Sequence, residues 1–156
     1  MRFQGNINNP ITDYVQPTTF SPTITANNQG DLVVSYAEQY GWHAKFGPFA
    51  YVSVRLKFTP TFTTAANIVR IQGLSVDPLV NPDNSAVEWP IATGRLQGLD
   101  SAAAILGISA FVTDTGDVML WQSRDNNPII PVEIDDFTSG AEATLEFAGF
   151  YLVGNA

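Results

Sequence analysis

From Phe49 to Phe58 the chain alternates without interruption: Phe49, Tyr51, Ser53, Arg55 and Lys57 occupy one set of positions, Ala50, Val52, Val54, Leu56 and Phe58 the other. Side chains repeat their direction every two residues in a strand and every 3.6 in a helix, so this stretch is read as a strand with one apolar face. The second set reads as core. The first reads as an outer face carrying aromatic and basic groups. Elsewhere short runs rich in Val, Ile, Thr, Phe and Tyr end at Gly, Pro, Asn or Asp, and no stretch keeps a 3.6-residue apolar period with caps at both ends. Strands are predicted near residues 19–26, 31–37, 42–46, 49–59, 66–73, 87–97, 104–113, 117–123, 129–134 and 143–153. The clearest hairpin joins 104–113 to 117–123 through Thr113-Asp114-Thr115-Gly116-Asp117, a short turn containing a glycine. Leu99 to Leu106, the one helix candidate, is short and broken by Gly107, and is read as a loop running into a strand. The expectation is an all-β, antiparallel, jelly-roll-like sandwich.

At 156 residues the chain fits one domain and can bury a full core without staples. Charged residues make up 14% against roughly 25% in an average soluble chain, yet 45% are hydrophobic, which excludes the disordered class. Seven basic residues stand against fifteen acidic ones, a net charge of -8 that repels phosphate backbones and anionic lipid. Neither nucleic acid nor a membrane is therefore expected as a partner. There is no cysteine, which removes disulfides, thiolate nucleophiles and cysteine metal sites. His43 is the only histidine, which removes any site needing two imidazole ligands. The first residues, MRFQGNINNPITDYVQP, carry Asn, Pro and Gln where a secretory signal needs an unbroken apolar run, so no signal peptide is expected.

Residues 1–18 read as an extended arm ahead of a single β-sandwich domain at 19–156. The arm is rich in Asn and Pro, but Phe3, Ile7, Ile11 and Tyr14 are spaced along it. A linker would be polar throughout, so these four are read as anchors that dock onto a neighbour.

The run from Tyr36 to Leu56 holds Tyr36-x-x-Gln39-x-Gly41, the apolar stretch around Trp42, Lys45-x-Gly47 and then an aromatic-Val strand. Upstream lies Phe20-Ser21-Pro22-Thr23-Ile24; downstream lie Asn67 to Leu74, ending in Gly-Leu, and the aromatic strand Leu145 to Val153. In order and spacing these segments resemble the surface module of bacteriophage tail-fibre, head-fibre and capsid-decoration proteins, over residues 19–153. The resemblance implies a homotrimer at the virion surface, assembled in the host cytoplasm. Its shell partner would be the major capsid protein or another virion shell protein. The shaft of a fibre is missing, which favours a cement or head-fibre role attached through the arm. The alternative is a receptor-binding tip that recognises host polysaccharide. Gly41 and Gly47 bracket a five-residue strand and suit two tight turns or a close backbone approach.

Phe49, Tyr51, Arg55 and Phe150 are the candidate subunit-interface residues, because an outer face mixing aromatics with arginine is what an interface needs. Trp89, in a proline-rich segment, is the candidate glycan contact, since loop tips carry recognition. An enzyme is not expected: His43 has no patterned serine elbow, and the carboxylates form no recognisable acid pair. The pairs Asp114/Asp117 and Asp135/Asp136 could offer oxygen to Ca²⁺, but neither has EF-hand spacing and both read more simply as solvated turns. No phosphate-binding or dinucleotide motif is present, so no cofactor is expected.

Overall fold

The computed structural model describes residues 17–74, 77–79, 88–100, 105–125 and 128–153. The predicted anchors Phe3, Ile7, Ile11 and Tyr14 lie outside these residues. Among the described residues ten strands follow one another: β1 (Thr18–Phe20), β2 (Thr23–Asn28), β3 (Val33–Phe46), β4 (Phe49–Thr61), β5 (Ala66–Gln72), β6 (Glu88–Gln97), β7 (Ile105–Thr113), β8 (Val118–Arg124), β9 (Ile130–Pro131) and β10 (Ala143–Leu152). Among the described residues the only helical element is a single 3-10 turn at Ile134–Asp136. The fold is all-β, as the sequence implied.

Every strand pairing is antiparallel, and the strands lie in the order β1-β3-β4-β10-β6-β7-β8-β5-β2, with β9 added against β8. Only Ser21 and Pro22 separate β1 from β2, although these strands stand at opposite ends of that order. The sheet must therefore curl until its two ends meet. The bend is made by β6, whose residues 92–97 pair with β10 while residues 88–91 pair with β7. Gly149 lets β6 cross: a Cβ there would sit 2.7 Å from Cβ and Cγ2 of Ile91.

The interior of the curl is one apolar core. The alternation in β4 holds to the last residue, with Ala50, Val52, Val54, Leu56 and Phe58 all buried. They meet Leu145, Phe147 and Tyr151 of β10, Val112 of β7, Leu120 of β8 and Ile71 of β5. Phe58 and Phe137 pack with ring centroids 5.6 Å apart. Each such large side chain stabilises the fold by about 1.5–3 kcal/mol on full burial. Where the two sheet ends meet, the seam is bridged by side chains. Tyr36 Oη accepts a 2.7 Å hydrogen bond from the Ile24 N–H, and Gln39 Nε2 donates to the Pro22 carbonyl at 2.9 Å.

Several expectations are corrected. The predicted strands 31–37 and 42–46 form a single β3 with a bulge between Tyr36 and Glu38, and Gly41 is not a turn. It stands opposite Val54 in the ladder, and the Phe20 ring lies so close that a Cβ would come within 2.6 Å of it. Gly47, at φ +58°, and Pro48 make the two-residue hairpin turn between β3 and β4. The predicted strand 19–26 is two strands, because Pro22 has no N–H to continue the ladder and the chain changes partner there. Trp89 is on no loop tip: it lies in β6 opposite Val112, half-buried against the core. The strand expected at 129–134 shrinks to Ile130–Pro131 before the 3-10 turn.

Candidate functional site

The outer surface of β3, β4, β10 and β6 is organised by register. The rungs Phe46–Phe49–Leu152, Ala44–Tyr51–Phe150, Trp42–Ser53–Ala148–Ala92 and Tyr40–Arg55–Glu146–Arg95 succeed one another away from the β3–β4 turn. Aromatic side chains take four of the six positions in the two rungs nearest that turn. Phe46, Phe49 and Phe150 remain 51%, 47% and 57% exposed, large fractions for phenylalanine. Their rings form a connected series: Tyr51 meets Phe150 edge-on at 4.9 Å and Trp42 at 5.1 Å, while Phe46 lies 6.5 Å from Phe150. Such contacts order the rings relative to one another.

Beyond the aromatic end the face becomes charged. Arg55 Nε lies 2.6 Å from Glu38 and 3.5 Å from Glu146, and Lys57 lies 3.0 Å from Glu142. Between the two ends sits a shallow recess of about 350 Å³. Its lining includes Ser53, Ala92, Ala148 and Gly94, with Arg55 and Glu146 on one side. Small side chains at Ser53, Ala148 and Ala92, flanked by Tyr51 and Phe150 on one side and Arg55, Glu146 and Arg95 on the other, produce this hollow.

Comparison with known protein families, with curated proteins and with solved structures finds no match.

The four expected interface residues, Phe49, Tyr51, Arg55 and Phe150, thus come together on one face. Trp42, Phe46, Glu38, Ala92, Gly94 and Ala148 were not among the expected interface residues. Alternation along β3 carried the signal for Trp42 and Phe46, since 42, 44 and 46 share a direction once Gly41 is read as part of the strand.

The other candidates are built into the framework. His43 faces inward on β3 beside Phe20, with ring centroids 6.1 Å apart, and burial pushes its imidazole below the ordinary value of 6.5. It is therefore mostly neutral at pH 7. Asp117 is held by Arg70 at 3.0 Å, and Asp136 by Arg124 at 2.8 Å. Asp136 also accepts from the buried Gln122 amide at 2.6 Å and from the Glu133 N–H at 2.8 Å. Among the described residues no three acidic or histidine side chains converge on a possible metal position. Tyr151, fully buried, has its phenol pushed up to about 12 by burial, with a smaller contribution from Asp77.

Proposed function

We propose that this chain is a non-enzymatic structural protein of a bacteriophage virion surface. In this reading it is a homotrimeric capsid-decoration protein of jelly-roll-like sandwich form, attached to the shell through its N-terminal arm. The observation that carries the reading is the exposed aromatic series Phe46, Phe49, Tyr51 and Phe150. A patch of this kind on a chain of this size favours burial against another protein surface over solvent exposure. The net charge of -8 also suits a protein partner better than DNA. The arm supports the docking half of the reading, because Phe3, Ile7, Ile11 and Tyr14 can each contribute roughly 1.5–3 kcal/mol when fully buried. Three arms on one trimer would act together, raising avidity by about two to four orders of magnitude. The receptor-binding alternative has Trp89 as its candidate glycan contact, and that residue stands half-buried in β6.

The test is attachment to shells lacking the protein. The full chain is expected to coat capsid faces in electron micrographs. A chain beginning at Thr18 is expected to fold and trimerise but to leave the particles bare. Equal coating by both chains would remove the docking role of the arm. Failure of the full chain to bind any shell would overturn the decoration reading.

A further inference from the structure

We infer that the aromatic end of the outer face is the seat of this chain's own N-terminal arm: β1 continues backward along β3 until Val15 lies beside Phe46, and Ile11 crosses over Phe150. The inference does not rest on the shell reading; within that reading it leaves Phe3 and Ile7 as the anchors for a shell. Its basis is where the chain enters the described structure. Thr18, Thr19 and Phe20 stand opposite His43, Trp42 and Gly41, so the chain before Thr18 is aimed along β3 toward the β3–β4 turn. β3 runs on past His43 to Phe46, and no described strand pairs with that stretch on the β1 side.

Hydrogen-bond direction prepares that edge for a strand. Phe46 and Phe49 flank a two-residue turn, and such a turn is closed by a pair that bonds to each other through the backbone. Backbone groups alternate in direction along a strand, so Phe46 and Ala44 bond toward β4 while Lys45 directs its N–H and C=O to the open edge. Counting back from Thr18 opposite His43, position 16 meets Lys45. Pro17 falls opposite Ala44, where a residue of β1 turns its N–H away from β3, so its missing donor interrupts nothing.

Side-chain direction then selects what covers the aromatic end. Thr19 stands opposite Trp42 on the outer side, and in an extended segment every second residue before it shares that side. Phe3, Ile7, Ile11 and Val15 all fall in that set. In the same register Val15 is opposite Phe46. Two strand spacings, about 10 Å, separate β3 from β10, and the four residues from Val15 to Ile11 span about 13 Å when extended, enough for Ile11 to reach Phe150. Phe46 and Phe150 are both more than half exposed, so each has apolar surface to give. The occupant comes from the same chain because β1 is already tied to its own β3, which holds the arm beside the patch at an effective concentration of about millimolar.

The native chain has no cysteine, which allows a direct test in the full-length protein. Opposed residues that do not bond through the backbone have Cα atoms about 4.5 Å apart, within the range a disulfide bridges. Val15→Cys combined with Phe46→Cys, treated with oxidised glutathione, is therefore expected to close a disulfide inside one chain, seen as a monomer without free thiol on a non-reducing denaturing gel. Tyr14→Cys combined with Phe46→Cys, out of register by one residue, is expected to keep its thiols. A linked dimer would put the arm on a second copy and overturn the proposal, as would free thiols in the first pair or equal linking in both. A readout that leaves the rings intact is hydrogen exchange in Gln16→Pro. Exchange at the Lys45 N–H is expected to accelerate roughly tenfold or more, while the Ala44 N–H, bonded toward β4, is unchanged. Equal exchange at Lys45 in both proteins also refutes the extended β1. The Ile11 methyl resonance is expected upfield of the Ile7 one and to move back in Phe150→Ala; an Ile11 methyl unmoved by that change refutes the crossing over Phe150. Shell attachment is scored separately: a chain that closes the disulfide but binds no shell refutes decoration alone, and one that coats shells with its thiols free refutes only the seated arm.

Discussion

The phenol oxygen of Tyr36 accepts a hydrogen bond from the backbone N–H of Ile24 across the seam where the two ends of the curled sheet meet. An ordinary ladder would satisfy that N–H with a carbonyl. Tyr36→Phe keeps the ring and removes only the acceptor, so a partly buried donor is left unmet. The variant is expected to lose about 1–2 kcal/mol of stability by urea unfolding. Hydrogen exchange at Ile24 should accelerate more than exchange at Val54. Equal protection at Ile24 in both proteins would mean that the phenol does not hold the seam.

At the crossing of β6 over β10 the crowding involves backbone as well as side chain. A methyl at position 149 would sit 3.0 Å from Ile91 Cα in addition to its clash with Cβ and Cγ2. Gly149→Ala is expected to cost about 1–3 kcal/mol. For a chain of this size each kcal/mol lowers the unfolding midpoint by about 2–4 °C in calorimetry. Gly41→Ala is expected to cost less, because the atoms it meets belong to the outer end of the Phe20 ring, which can swing aside.

Asp31 predicts the acid limb of stability. Its carboxylate accepts from the backbone N–H groups of Thr63, Thr64 and Ala65 and from both threonine hydroxyls. The Thr63 contacts are the largest cause holding this carboxyl well below its ordinary value of 3.8. A depressed folded-state value means that the stabilisation is fully present above about pH 4 and is lost as the pH falls toward the folded-state value. Asp31→Asn should therefore show a shallower fall in unfolding midpoint than the native chain between pH 4 and pH 2. Parallel curves would mean that the carboxylate charge contributes nothing at this turn.

Asp136 closes the 3-10 turn onto β8 by accepting from Gln122, Arg124 and the Glu133 N–H at once. Gln122 is fully buried, so removing its acceptor leaves an amide donor without water. Asp136→Ala is expected to cost about 2–3 kcal/mol, read as a lower urea midpoint with unchanged slope. Asp135→Ala, at an exposed neighbouring position, is expected to change stability by less than about 0.5 kcal/mol.

The strands were legible wherever alternation and turn chemistry agreed. β4 and the β7–β8 hairpin follow the predicted boundaries closely, and the core half of β4 is the set read from its period. Gly41 misled because a glycine between two apolar runs looks the same whether it turns the chain or makes room for a ring. What decides is the approach of Phe20, a contact 21 residues away that no local pattern encodes. At Trp89 two signals conflict: Pro90 and the prolines before it suggest a loop tip, whereas the strand predicted at 87–97 already contains it, and pairing with β7 holds it in the sheet. The outer aromatic face was half legible: alternation pointed to Phe49, Tyr51 and Phe150, but their adjacency across three strands depends on a long-range register.

The position of β10 between β4 and β6 also sets an order of events during synthesis. The ribosome emits β4 and β6 long before residue 143, and each then shows an open edge with an apolar inner face. Neither edge can be closed by any strand already made, because the strand that belongs between them is the last of the ten to appear. A nascent chain stopped anywhere in that interval is therefore two unfinished sheets rather than a smaller version of the whole, and such edges invite pairing with neighbouring chains. The sheet is accordingly closed only once β10 has been made, and truncation within β10 is expected to yield aggregate rather than a smaller folded unit.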